Sequence, residues 1–189
     1  GIIIFFMVVL IGIGTLSLKN INGKLDQIIN INNTKILLAQ NIQNTIAAID
    51  KSALIVALVN DPGVAKSEQE TMEAQRAIYK SSIEKFEKIE NTKKGKELIT
   101  DIKDNFDITQ TTINSIVQEI TAGNTQKARD MLTGSLEISK RLGEACTNLV
   151  KYQEEQTTAA GRSARRTYLT AFFALAGCGI VVLGIALVL

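Results

Sequence analysis

The residue that most limits what this chain could catalyse is one that it lacks: the sequence contains no histidine. That removes the Ser-His and Cys-His nucleophile systems, His-ligated zinc and the Glu-x-x-His ligands of di-iron helical bundles. Asp101, Asp104 and Asp107 could bring three carboxylates together for a metal ion. The same i, i+3, i+6 spacing equally describes a solvated helix face, and that reading is taken. Lys93-Lys94-Gly95-Lys96 lacks the spacing of a phosphate-binding loop and reads as a basic turn. Cys146 and Cys178, if carried on one helix, lie about 48 Å apart, far beyond disulfide reach. Each reads as a small packing residue, although Cys146 could meet its own copy across a dimer interface. No catalytic residue, metal ligand or cofactor is expected, and the chain does not read as an enzyme.

The elements that position these residues are organised by hydropathy. Two uncharged apolar runs, residues 1–18 and 167–189, flank a polar middle that carries every charge. The second run is long enough to cross a hydrocarbon core, which takes about 20 helical residues. The first reads as a span cut from a slightly longer one. It has no basic leader, and Gly12-Ile13-Gly14-Thr15-Leu16-Ser17 makes a poor signal-peptidase site. The expected organisation is transmembrane helix 1 at 1–18, a sensor-sized polar domain at 19–166 and transmembrane helix 2 at 167–189. The net charge of +2 comes from 21 basic and 19 acidic residues. They alternate along the middle region, which argues against a nucleic-acid partner. One Pro and no Trp, with long stretches of Ile, Leu, Ala, Gln, Lys and Glu, favour helix.

Three breaks divide the middle: Asn60-Asp61-Pro62-Gly63, Asn91-Thr92-Lys93-Lys94-Gly95 and Thr121-Ala122-Gly123-Asn124. Gly123 suits a helix end, and Asn124 the N-cap of the helix that follows. The four segments left are 15–60, 64–91, 95–121 and 124–166. The first follows 3-4 spacing through Leu18, Ile21, Leu25, Ile28, Asn32, Lys35, Ala39, Ile42, Ile46, Ile49, Ala53, Val56 and Asn60. The third repeats it from Ile99 through Ile102, Phe106, Thr109, Ile113 and Ile116 to Ile120. The fourth does so from Ala128 through Met131, Ser135, Ile138, Leu142, Ala145 and Leu149 to Tyr152. The second is weakest, with Met72, Tyr79, Phe86 and Ile89. Asn32 and Lys35 are polar at inward positions, where such residues set register. Beside the fourth stripe, Leu132, Leu136, Gly143, Cys146 and Val150 form a second row suited to a partner chain. The fold expected is all-α: an antiparallel up-down-up-down four-helix bundle whose long outer helices continue into the two spans. Each outer helix rises about 63 Å and each inner one about 40 Å, so the two tip turns meet far from the membrane.

This arrangement resembles the four-helix-bundle sensor module of bacterial methyl-accepting chemotaxis proteins. Gly123-Asn124-Thr125-Gln126-Lys127-Ala128-Arg129 is similar to the Gly-Asp/Asn-x-x-x-Ala stretch that often opens the fourth helix there. The resemblance implies a homodimeric receptor in the bacterial inner membrane with its sensor domain in the periplasm. That domain would detect a small ligand directly or through a periplasmic binding protein. A displacement would pass down the fourth helix and second span to a cytoplasmic HAMP and signalling region. In this family arginines on the first helix grip a carboxylate with help from the fourth. Here the first helix has no Arg, so the ligand set the resemblance implies is Thr45 and Lys51 with Thr125, Gln126 and Arg129, suited to an anion. Arg162, Arg165 and Arg166 before the second run argue for the opposite orientation, although charge bias is weak across long loops. The alternatives are the input module of a membrane-bound sensor histidine kinase and a membrane-anchored coiled coil with no ligand.

Overall fold

A computed structural model describes residues 2–59 and 61–188, with side chains described except at 2–7, 27, 62, 182, 183 and 185–188. The described residues contain no strand. The order is α1 (Ile2–Asp26), a π-helical stretch (Gln27–Asn32), α2 (Asn33–Leu58), α3 (Pro62–Ile89), α4 (Lys93–Thr121) and α5 (Thr125–Val188). The three turns fall at the breaks read from the sequence, and turns this short make neighbouring helices antiparallel. The fold is the expected all-α four-helix bundle.

Each turn has a chemical cause. Asp61 caps α3, its Oδ1 accepting from the backbone of Gly63 at 2.7 Å and Val64 at 3.1 Å. Thr92 caps α4 by accepting from Gly95 N at 3.0 Å. Gly123 adopts φ +82°, a left-handed conformation that costs glycine nothing and ends α4. Asn124 was expected to cap α5 through its side chain. Its amide instead donates to Glu119 Oε2 at 2.8 Å, and only its carbonyl serves α5, accepting from Ala128 N at 3.1 Å.

The chain divides into two compact units, residues 34–154 and residues 1–33 with 155–189. In the first, α2 buries Lys35, Ala39, Ile42, Ile46, Ile49, Ala53 and Val56, each a position of the heptad stripe; Asn60, its last position, lies outside the described residues. α4 buries Ile99, Ile102, Phe106, Thr109, Ile113 and Ile116. Met72, Tyr79, Ile83 and Phe86 of α3 and Leu142, Ala145, Cys146 and Leu149 of α5 complete one core. Burying a side chain such as Phe86 or Ile42 stabilises the fold by about 1.5–3 kcal/mol. Cys146 is 1% exposed within this core, so it belongs to the chain's own interior and not to the partner row. Ala145 and Cys146 both face inward because the buried arc of a helix is wider than one heptad position. A smaller cluster of Ala57, Ile116 and Ala128 closes the distal end.

The second unit holds α1, the π-helical stretch and the rest of α5. Lys24 Nζ donates to Ser163 Oγ at 3.1 Å and Thr167 Oγ1 at 2.7 Å. Val8, Ile11, Leu16 and Leu18 of α1 are exposed, as are Tyr168, Phe172, Phe173 and Ile180 of α5. Among the described residues, no helix is long and apolar enough to cross a membrane. The expected spans at 1–18 and 167–189 lie partly outside the residues whose side chains are described.

Candidate functional site

Three of the residues expected to hold a ligand are exposed and one is half-buried. Thr45 is fully interior, 4% exposed, and its hydroxyl is spent on the carbonyl of Asn41 at 2.6 Å. Gln126 lies at the surface, where its amide donates to Asp130 Oδ1 at 3.0 Å. Thr125 is half-buried. Lys51 and Arg129 are exposed, and among the described residues neither enters an ion pair. Ala57 clusters with Ala128, and Asp50 lies beside Ser139. These contacts fix the register of α2 against α5. They set Lys51 and Arg129 on adjacent helices at levels on the order of 10 Å apart along the bundle.

One residue before Lys51 on α2 sits a carboxyl group with a shifted pKa. Asp50 is half-buried. Loss of water around it raises its pKa to about 6, with the neighbouring Ser139 hydroxyl acting in the opposite direction. The neighbouring Cys146 thiol is pushed up to about 12, by burial first and then by the charges of Asp50 and Asp101. It is therefore a packing thiol, since the thiolate is the reactive form. Asp101, Asp104 and Asp107 are exposed. Among the described residues no cluster of His, Cys, Asp and Glu is assembled to hold a metal ion.

The most completely built polar site lies at the α3–α4 turn. Glu90, 4% exposed, turns its carboxylate inward. Its Oε1 accepts from the Thr92 backbone at 2.8 Å and the Thr92 hydroxyl at 2.6 Å. Its Oε2 meets Lys35 Nζ at 3.2 Å and accepts from Gln153 Nε2 at 2.9 Å. The Thr92 hydroxyl in turn accepts from Tyr152 OH at 3.0 Å and Gly95 N at 3.0 Å. A hydroxyl has one proton to give and two lone pairs, and all three are used. Lys35 and Gln153 are 5% and 1% exposed, so one carboxylate ties α2, the turn and α5 together in a dry environment. Burial is the largest single influence on Glu90 and raises its pKa. The Thr92 hydrogen bonds and Lys35 together outweigh it and hold the pKa below the usual glutamate value. Gly95 is required here, because a Cβ would lie 2.3 Å from Glu90 Cδ.

Of this cluster, only Lys35 was picked out as an inward polar position. Glu90 and Gln153 were missed. The available signal was an inward lysine with no acid one helical turn away to neutralise it.

A family model described as a four helix bundle sensory module for signal transduction matches residues 1–168. No curated protein matches the chain.

Proposed function

The chain belongs to the family of four-helix-bundle sensory modules for signal transduction, and from that premise we propose that it is the sensor and transmembrane unit of a bacterial chemoreceptor. Residues 19–166 form the sensing domain on the outer face of the inner membrane. The apolar runs 1–18 and 167–189 anchor it as two spans. The module works as a homodimer and passes a ligand-dependent displacement along α5 to a cytoplasmic signalling region. The observation that carries this reading is the extent of the family match, which takes in the first apolar run together with the whole bundle. The outward-facing Leu16, Leu18, Phe172, Phe173 and Ile180 support it, because apolar side chains of this size suit lipid better than water. The ligand is a small molecule, received directly or from a binding protein. Lys51 and Arg129, with Thr125 and Gln126 near Arg129, are proposed as the anion-facing side of that site; Thr45 is set aside, because it is interior and its hydroxyl proton goes to the Asn41 carbonyl.

The experiment is a topology measurement on the full chain. With Cys146 and Cys178 replaced by Ala, a single Gly63→Cys change at the first turn of α3 should react with an impermeant maleimide in intact spheroplasts. Labelling only after the inner membrane is opened would overturn the orientation and favour the reading carried by Arg162, Arg165 and Arg166.

A further inference from the structure

Beside the two apolar runs, every charge is positive. From Gly1 to Leu25 the charged residues are Lys19 and Lys24, and from Gln156 to Leu189 they are Arg162, Arg165 and Arg166. Lys19 directly follows the first run and Arg166 directly precedes the second. Among the described residues none of the five enters an ion pair. Lys19 and the three arginines are exposed. Lys24 is half-buried against α5, where Ser163 and Thr167 take two of its three protons.

At this level a cleft of about 340 Å³ opens between α1 and α5, a volume within the usual range for small-molecule sites. The Lys24–Thr167 contact and the approach of Leu175 to Gly14 set the two helices antiparallel along it. The lining therefore changes character along the axis. Arg166 and Thr167 stand at the end nearer the bundle, Ser17 and Thr170 follow, and Ile13 and Ala174 lie at the other end. From Arg166 to Ala174 the helix rises about 12 Å. Beside the polar end, Tyr168 is exposed and stacks on Phe172, an amphipathic ring of the kind that settles at headgroup level.

Cation, then hydroxyl, then hydrocarbon is the order in which a phospholipid presents its phosphodiester, its glycerol esters and its acyl chains. A free anion would leave the apolar end unused, and a zwitterionic headgroup would bring another cation to five that have no acid. We propose that the α1–α5 cleft is a binding site for an anionic phospholipid. Arg166 grips the phosphodiester with its guanidinium fork, and Lys24, behind Thr167, adds to the positive field. Ser17 and Thr170 donate to the ester oxygens. One acyl chain enters along Ile13 and Ala174, and the remainder lies on the exposed apolar surface that carries Phe173 and Ile180. The site rests on the reading of runs 1–18 and 167–189 as spans. A lipid held there ties α1 to α5, the helix along which the signal is proposed to pass.

The probe is dioleoylphosphatidylglycerol, with dioleoylphosphatidylcholine as its zwitterionic counterpart, titrated into the full chain in detergent micelles and counted by native mass spectrometry. Phosphatidylglycerol should bind first and more tightly. Arg166→Gln should weaken it about fivefold, the weight of one basic residue at an anionic surface. Thr170→Phe, which fills the cleft and leaves the charge unchanged, should weaken it as well. Arg162→Gln removes an equal charge outside the cleft and should weaken it clearly less. All three positions are exposed, and unchanged circular dichroism would show that lost binding is not lost folding. Equal binding of the two lipids would overturn the site. So would equal losses in Arg162→Gln and Arg166→Gln with none in Thr170→Phe, which is the signature of a diffuse cationic collar. Displacement by free glycerol 1-phosphate would assign the polar end to a soluble phosphate and overturn the lipid. Alkaline carbonate separates this proposal from its premise. A chain stripped by it from phosphatidylcholine vesicles has no spans, whereas a chain that stays inserted and shows no lipid preference loses the site alone.

Discussion

Two polar layers are buried in the same bundle unit, and they differ in whether their valences are closed. Around Glu90, both carboxylate oxygens have two partners each, and Thr92 uses its proton and both lone pairs. Around Gln110, four atoms on three side chains (Arg76 Nε, the Tyr79 hydroxyl and both Gln110 amide atoms) have none among the described residues. Closed networks in a low-dielectric interior fix one arrangement of the helices that meet there. Open ones carry a cost that some partner can relieve. The closed layer joins α2 to α5, the helices on which the proposed signal travels, and it sets their register. The open layer joins α3 to α4.

The comparison breaks most readily at Glu90. Removing one member of a buried ion pair leaves the other charged and dry, at a cost of about 3–5 kcal/mol. Glu90→Ala and Lys35→Ala should each destabilise the full chain by that amount in urea unfolding. The double replacement Lys35→Met with Glu90→Leu should cost far less than the sum, since no charge is stranded. Equal and additive losses would show that Glu90 is solvated and that the layer is not closed. Gly95→Ala offers an independent probe. Its Cβ would displace the Glu90 carboxylate, which overpacking alone puts at about 1–3 kcal/mol.

What the sequence made legible was local. The heptad stripe of α2 from Lys35 to Val56 is buried position for position, because a helix repeats its face regardless of its partners. The turns at Pro62, Thr92 and Gly123 are fixed by side chains within three residues of themselves. The Glu90 layer was not legible, since it joins residues 55 and 63 positions from Glu90 in the chain, at 35 and 153. In sequence, Lys88-Ile89-Glu90-Asn91 resembles any solvated helix end. The fourth stripe was placed one residue off at its foot. Tyr152 was expected inward, whereas Gln153 is the buried residue and Tyr152 is half-buried. A straight helix of 3.6 residues per turn drifts by about 20° per heptad against a 3.5 repeat, and over four heptads that moves the inward face by one position. In sequence, Asp50 reads as one more polar residue of α2. Its proximity to Ser139 depends on the register of α2 against α5, which periodicity does not determine.

A smaller effect sharpens the comparison from the side of charge. Glu90 is buried with partners enough to stay ionised, whereas Asp50 is half-buried, and loss of water raises its pKa to about 6. A carboxyl that holds its proton more tightly folded than unfolded penalises the fold above the folded pKa. The penalty is relieved as pH falls from about 6 towards the unfolded value of 3.8. After allowance for its partial exposure, the penalty at neutral pH is about 1–2 kcal/mol. Asp50→Asn should therefore raise stability by that amount at pH 7.5 and change it little near pH 4, measured by urea unfolding at the two values. A gain that persisted undiminished at pH 4 would mean that packing, and not ionisation, separates Asp50 from Asn.

The smallest expected effect on stability belongs to the two exposed cations, and there the comparison turns from folding to binding. Lys51 and Arg129 stand free of ion pairs among the described residues, so Lys51→Ala and Arg129→Ala should each shift unfolding by no more than about 0.5 kcal/mol. Their value would lie in a ligand. They stand on the order of 10 Å apart along the bundle, so a dianion with a carboxylate for each cation suits them best. A screen of di- and tricarboxylates by thermal shift on the full chain, followed by calorimetry, reads this directly. Each substitution should then weaken a hit about tenfold to more than a hundredfold, the cost of one charge-assisted contact. An acid whose affinity is the same in both variants binds elsewhere, and the α2–α5 anion site would be wrong.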